Sequence, residues 1–522
     1  MKEMKALIRK HLPSSNDDDA ESVTSVSTRA GRQLSQQEKS AILARNLRAL
    51  DEDDAEKLLI NIYTSVSEAL RRLSVQVKVL LDVTSTFDSR PSRSSSPDPS
   101  AHPGSPQHAR FRSIDGNLSS PQSPAFPGPR LQEQLSEALD MSALLGQAVD
   151  VAQTQASRIL KVRAEQSHHL PLERFLRYFT INRFFADECE AISGRSGQVL
   201  KNIVNTQLNA FISTMGDTET QRIAQQLDTD QWEAKDFQEK DQAILSRLLE
   251  GMNSDSAVWT KGTRVWEAPT SEESTENEPV ANGNTTTDAA TTTTTKPALR
   301  PAFIDDHRFI LVRSAIALLP ILDTFLSLIA SIPSIAPTAI PALAEVLRTF
   351  NSRSSQLVLG AGATRIAGLK NITTKHLALA SQALSFVVAL LPYVRESVRR
   401  HVGGRAEALG EFDRVKRLCQ DHQMGIHDKL VEIMTARANA HIGAMRKVDF
   451  DAEGGSGEGD APRGYVETLT KETGTLYRVL GRHLAEPDVE GIMGQIARSY
   501  SCLLYTSPSP RDRTRSRMPS SA

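Results

Sequence analysis

The chain has 522 residues with 61 Lys and Arg against 63 Asp and Glu, a net charge of −2, so no global field favours nucleic acid or an anionic membrane. Aromatics are only 5% of the chain, and the three cysteines, Cys189, Cys419 and Cys502, have spacings that fit neither a disulfide framework nor a zinc site. The length allows several domains of ~100–200 residues, and periodic segments rich in Leu, Ala, Ser, Glu, Gln and Arg favour helices, where unbranched side chains lose little rotamer freedom.

The opening "MKEMKALIRKHLPSSNDDD" has basic residues but no uninterrupted apolar stretch and no small-residue cleavage site, so it does not read as a secretory signal. The sequons at Asn117, Asn284 and Asn371 are then chance occurrences. Residues 1–14 read as the end of a helix, followed by a polar loop. Helical periodicity begins near Gln36 and strengthens after "DEDDAEK", with Leu59, Ile62, Val66, Ala69, Leu73, Val77 and Leu80 stepping in threes and fours on one stripe. Asp51 to Asp54 and Glu56 suit the positive end of that helix. Residues 1–88 are thus expected to be a helical segment.

Residues 89–130 are Ser/Pro-rich, with too little apolar surface to offset the entropy of ordering them, and read as a disordered linker. Four Ser-Pro pairs, at Ser96, Ser105, Ser120 and Ser123, are candidate sites of proline-directed phosphorylation. Residues 131–266 return to helical patterning as a bundle, beginning with one long amphipathic helix that ends before "HHLPLERFLRYF". His168 and His169 are adjacent, do not share a helix face, and read as a solvated loop rather than a metal pair. Residues 267–300, with "NTTTDAATTTTTK", form a second, Thr-rich linker.

Residues 301–501 read as a C-terminal helical domain. From Thr324 to Ala344 no residue is charged, yet Pro333, Pro337 and Pro341 recur every four residues. A lipid-exposed helix must satisfy its own backbone groups, so buried helices joined by a Pro-rich turn are the better reading. The last stretch, residues 502–522, resembles translated sequencing adaptor: "CLLYTSPSPRD" matches a transposase adaptor and "SRMPSSA" the primer end that follows it. It is set aside as an assembly artefact, which leaves Cys189 and Cys419 as the native cysteines.

The stretch "QLVLGAGATRIAGLK" (356–370) invites a phosphate-loop reading, with Gly360 and Gly362 cradling a nucleotide in an enzyme. A dinucleotide fingerprint needs a third glycine where Arg365 stands, and an acid roughly 20 positions on. From Ile366 to Arg395 there is no Asp or Glu, and no Gly-Lys-Ser/Thr follows. The next segment, Leu377 to Leu391, is apolar on nearly all faces, as in a helix buried in a bundle. Thr373 or Thr374 would cap its start, and Arg395, Arg399 and Arg400 suit its negative end. Gly360, Gly362 and Gly368 then permit a tight interhelical turn or close helix approach. His376 reads as a structural hydrogen-bonding residue. Cys419, despite basic neighbours that would lower a thiol pKa, reads as an inert helix thiol. No βαβ alternation and no catalytic constellation is legible.

"FNSRSSQLVLGAGATRIAGLKNITTKHLALASQAL" (350–384) resembles the signature of the vacuolar protein sorting-associated protein 54 family, through Phe350, Asn351, Arg353, Gly360, Gly362, Gly368, Leu369, Lys370, Thr374, Lys375, Leu377, Ala378 and Leu379. "ECEAISGRSGQVLKNIVNTQLNAFI" and "LDTDQWEAKDF" (227–237) resemble its middle region, in the same order. The resemblance implies an all-α fold, a rod of stacked helical bundles of the tethering-complex type. It implies a non-enzymatic subunit of the Golgi-associated retrograde protein (GARP) complex, tethering endosome-derived vesicles at the trans-Golgi network. The implied partners are three other GARP subunits, SNARE proteins and the endosome and Golgi membrane surface, with no cofactor, metal, nucleic acid or small-molecule substrate. The implied location is the cytosolic face of the trans-Golgi network and endosomes. The family's long N-terminal part, which holds the coiled coil for assembly and a SNARE-binding segment, is expected to be missing here, with Met1 an internal methionine. A nucleotide-binding enzyme and a generic helical scaffold are the alternatives.

Overall fold

The computed structural model describes residues 35–88, 129–194, 197–266, 299–360, 372–403, 406–445 and 464–506. These residues are almost wholly helical, with a two-stranded antiparallel sheet as the one sheet among them. The chain divides into two compact units: residues 1–166 with 178–206, and residues 167–177 with 207–522. The Ser/Pro-rich and Thr-rich stretches, and with them Ser96, Ser105, Ser120 and Ser123, lie outside the described residues.

In the first unit, α1 (Gln36–Arg48) starts at a capping box. The Ser35 hydroxyl accepts from the Glu38 amide at 3.2 Å, and the Glu38 carboxylate accepts from the Ser35 amide at 2.7 Å. The next helix, α2 (Glu52–Asp88), places Glu52, Asp53 and Asp54 in its first turn, against the positive end of the helix. It packs along α3 (Pro129–Val162), which also receives α1. Leu47, Leu50, Ala55 and Leu58 form a small core there, with Ile62 and Val162 against it.

The buried stripe of α2 runs through Leu59, Tyr63, Leu70, Ser74 and Val77, whereas Ala69 and Leu80 of the expected stripe are exposed. Tyr63 and Ser74 lie at its centre, and an apolar count steps past both. The Tyr63 hydroxyl donates to Asn182 Oδ1 at 2.6 Å, and its ring stacks on Phe185 at 4.1 Å. A polar tip with a partner makes tyrosine a core residue here.

The long helix also ends earlier than the pattern indicates. It breaks at Arg163, before a short helix, α4 (Ala164–His168). The Arg163 guanidinium donates to the carbonyls of Leu47 and Leu50, at the C-terminal end of α1. A tertiary bond of this kind leaves no local signal. His168 is half-buried at the end of α4 rather than in a solvated loop, while His169 is exposed in the turn beyond it.

The units divide at three points, within α4 and within two further helices, α5 (Leu172–Ser193) and α6 (Gln198–Asp228). The second unit continues with α7 (Glu239–Glu250), β1 (Ala302–Ile304), β2 (His307–Phe309) and a short helix, α8 (Arg313–Ile316). Then come α9 (Leu318–Ser331), α10 (Ala336–Val358), α11 (Thr374–Val402), α12 (Gly410–Met445), α13 (Gly464–His483) and α14 (Glu486–Thr506). Between α9 and α10 lies a single 3-10 turn, Pro333–Ile335, so the uncharged Pro-rich stretch is two buried helices and a turn.

Helix α11 is the centre of the unit: α7, α9, α10, α12 and α13 all pack on it. Sixteen of its residues are buried, from Leu377 to Val402. Gly403, at φ 55°, then ends it in the left-handed conformation that glycine reaches without strain. Two helical stretches, Arg313–Ser331 and Thr374–Val402, are long and apolar enough to cross a membrane, with 56% and 72% of their apolar windows buried inside the structure.

The hairpin β1–β2 is a feature the sequence reading lacks. Ala302, Ile304 and Phe309 face inward, and Phe309 meets Phe386 of α11 edge-on at 5.5 Å. Its turn is held by Asp305, at φ 51°, whose carboxylate accepts from the Tyr393 hydroxyl at 2.5 Å. Strands of three residues are too short to show a period of two.

Candidate functional site

The family-type motif spans the end of α10 and the start of α11. Phe350 is fully buried, and Ser354 one turn on donates its hydroxyl to the Phe350 carbonyl at 2.6 Å. Asn351 faces α12. Its Nδ2 donates to the Leu418 carbonyl at 3.4 Å and its Oδ1 accepts from His422 Nδ1 at 2.9 Å. Arg353 pairs with Asp228 at the end of α6 at 2.6 Å and also donates to Gln356 at 2.9 Å. Side chains within about one helical turn therefore pin α10 to two other helices.

Gly360 closes α10. Its amide donates to the Ser355 carbonyl at 3.1 Å, and a Cβ added there would overlap the carbonyl oxygen of Gln356. Only glycine lets the chain turn this tightly on its own last helical turn. The residues before it form a helix rather than a strand, and its amide is already bonded within the chain. A phosphate-cradling role for Gly360 is overturned on both grounds, and the close approach is to its own helix end. Gly362, Gly368, Leu369 and Lys370 lie outside the described residues, as does Arg365.

The chain re-enters at Thr373, which settles the capping choice. Its hydroxyl accepts from the His376 amide, and its own amide donates to His376 Nδ1, each at 3.3 Å. His376 is therefore a capping-box residue, its pKa lowered first by burial and then by Lys375. Thr374 and Lys375 form the first turn, with Lys375 exposed. Leu377, Ala378 and Leu379 then enter the core at 1%, 0% and 0% exposure.

The second motif, "LDTDQWEAKDF", begins on the last two residues of α6 and continues as a clamp beside the hairpin. The Asp230 carboxylate accepts from the amides of Trp232 at 3.0 Å and Ser314 at 2.8 Å. Trp232, at φ 53°, is buried. Lys235 donates its amide to the Leu311 carbonyl at 2.8 Å, and Phe237 donates to Arg300 at 3.1 Å. Both motifs thus position backbone and core.

No catalytic pairing emerges around them. Burial pushes the Cys419 thiol up to about 12 and the Cys189 thiol up to about 11, so the basic residues near Cys419 in sequence do not activate it. Ser381 Oγ and His427 Nε2 lie 2.8 Å apart, but Ser381 is fully buried within α11. Among the described residues no group of three metal-ligating side chains is assembled. A cavity of about 10 Å³ lies between α9, α10 and α11, lined by Leu318, Leu322, Leu347, Phe386, Leu390 and Val394 among others. It has an apolar lining and about the volume of one water, so it cannot hold a nucleotide.

Sequence comparison shows what this chain is similar to. A family model described as Vps54-like protein matches residues 306–437, from the hairpin through most of α12. The chain is 28% identical over 396 residues to an Arabidopsis thaliana protein named vacuolar protein sorting-associated protein 54, chloroplastic, covering 67% of this chain and 38% of that one. It is 25% identical over 457 residues to vacuolar protein sorting-associated protein 54 of Schizosaccharomyces pombe, covering 87% and 41%. With the Homo sapiens protein of that name it shares 27% over 301 residues, covering 57% and 28%. The chain therefore spans well under half the length of the curated relatives it matches. No solved structure matches it. The chain is thus similar to the vacuolar protein sorting-associated protein 54 family, and a Vps54-like family model matches it over residues 306–437.

Proposed function

We propose that the chain is part of a subunit of the GARP complex, which tethers endosome-derived vesicles at the trans-Golgi network in retrograde transport. One observation carries this reading: the Vps54-like match at residues 306–437 coincides with the α10–α12 packing, where Asn351, Arg353 and Thr373 act as structural ties. The protein works by presenting helical surfaces, not by chemistry on a substrate. Its partners are the three other GARP subunits and the endosome and Golgi membrane surface, with SNARE proteins met through the family's N-terminal part rather than through these residues. Its place is the cytosolic face of those membranes.

Affinity purification of the full-length native protein from its source tests the reading. Co-purification of three large helical subunits in fixed proportion is expected, and their absence under conditions that keep the protein folded would reject it. Thermal-shift measurements with NAD and ATP are a second check. No stabilisation is expected, and a nucleotide-dependent rise in Tm would point to the rival class instead.

A further inference from the structure

We propose that the exposed apolar face at residues 75–83 of α2 is a docking surface for residues 1–12 of the same chain, folded as an amphipathic helix. The segment "VQVKVLLDV" carries apolar side chains on every face of α2: Val75, Val77, Val79, Leu80, Leu81 and Val83. A helix that is apolar all round is normally covered all round. Here the cover is one-sided. Val77 is 6% exposed, whereas Val75, Val79, Leu80 and Val83 are 58%, 56%, 48% and 43% exposed. At about 100° per residue these four fall on one arc of about 140°, the width of face that a helix buries against a neighbour.

The chain outside the described residues holds a segment suited to this face. Residues 1–34 precede the described fold and join it at Ser35, the cap of α1. Met1, Met4, Leu7, Ile8 and Leu12 step in threes and fours, so a helix over 1–12 gathers them on one stripe. The same helix turns Lys2, Lys5, Arg9 and Lys10 outward, and Pro13 stops it. The other stretch of this unit outside the described residues, 89–128, is interrupted by Pro and Gly before any stripe reaches three turns.

Reach and charge both allow the docking. Residues 13–34 span up to ~70 Å when extended, more than the ~55 Å length of the 37-residue α2. Of the cations near the face, Arg71 and Arg72 are each held by an acid of their own, Glu188 and Glu68. Docking then removes two apolar stripes from water together.

Hydrogen exchange in the chain from Met1 to Ser501 tests this, with the free peptide of residues 1–14 as reference. Amides of residues 5–12 should exchange about tenfold or more slower than in the peptide, through the hydrogen bonds of the docked helix. Val75→Asn with Val79→Asn, at exposed positions and with folding confirmed by a melting curve, should return them to the peptide rate. A second readout lies on α2 itself. Cys189 and Cys419 are buried, so the thiol introduced by Val79→Cys can be followed with maleimide. It should react slowly, and about tenfold faster once Leu7→Asp is added. Peptide-rate exchange in the unaltered chain, equal slowing in the folded variant, or a thiol equally fast with and without Leu7→Asp would overturn the proposal. So would slowing that disappears on dilution while sedimentation shows a dimer dissociating, since the cover would then be a second copy.

Discussion

Asn351 Oδ1 accepts a hydrogen bond from His422 Nδ1 at 2.9 Å, joining a motif residue on α10 to the middle of α12. The bond needs the Nδ1–H tautomer, and the ring's Nε2 is buried without a partner. A second proton on the ring would therefore be a buried charge facing no acceptor. Burial pushes the His422 pKa down to about 4.

This gives a pH dependence with a definite sign. The folded pKa lies below the unfolded value near ~6.5, so the unfolded chain binds the extra proton first. The contribution of His422 is complete above pH ~6.5 and is lost as pH falls through about 4. The loss is on the order of 3 kcal/mol. His427 and His483, also lowered first by burial, act in the same direction. Urea midpoints at pH 7.5, 5.5 and 4.5 should fall steeply, and His422→Gln should flatten the decline. An unchanged pH slope in that variant would show that His422 is not the titrating group.

Two glycines should respond with opposite signs. Gly360→Ala puts a Cβ against the Gln356 carbonyl, where backbone must move, and should cost about 1–3 kcal/mol. Gly425 sits inside α12, where an added Cβ would meet only Leu359 Cδ1 at an ordinary 3.7 Å. Gly425→Ala should therefore stabilise by about 0.5–1 kcal/mol. Denaturant midpoints of the two variants provide the measurement, and destabilisation by both would refute the account of Gly425.

The same residues show what sequence alone could reveal. α11 was legible because apolar residues on all faces have one stable solution, burial in a bundle. Its cap was legible to within one residue, since Thr373 and Thr374 are chemically alike. The stripe of α2 came out displaced because Tyr63 and Ser74 are core residues only by virtue of what they meet. The break at Arg163 and the tie between Asn351 and His422 depend on partners 113 and 71 residues away, respectively, which no local pattern contains. Cys419 reads as an inert helix thiol despite its basic neighbours, and burial is the cause that raises its pKa.

That last contrast is measurable. Cys419 and Cys189 are buried, while Cys502 is exposed. At pH 8 the two buried thiols are protonated as well as shielded, so in a chain ending at Ser501 a disulfide reagent such as Ellman's should titrate neither until denaturant is added. A fast thiol in the folded protein would contradict the packing around α5 or α12.

A polar tie in the second unit joins α7 to α9. Arg247 donates to Asp323 from Nε at 3.3 Å and from Nη2 at 2.6 Å, and Trp259 Nε1 donates to the same carboxylate at 2.7 Å. Ser327 and Ser331 of α9 in turn donate to the Trp259 carbonyl, at 3.1 and 2.8 Å. One carboxylate thus serves a guanidinium and a buried indole, and its loss strands both donors. Asp323→Ala should cost about 2–4 kcal/mol, slightly below the range for fully buried pairs because the carboxylate keeps some exposure. Asp323→Asn retains an acceptor for the indole and should cost less. A double-mutant cycle with Arg247→Ala separates the ion pair from the indole bond: the two losses should be strongly non-additive, with Asp323→Ala the larger. Additive losses would mean that Arg247 and Asp323 are not coupled, and that the carboxylate acts through its bond to the indole instead.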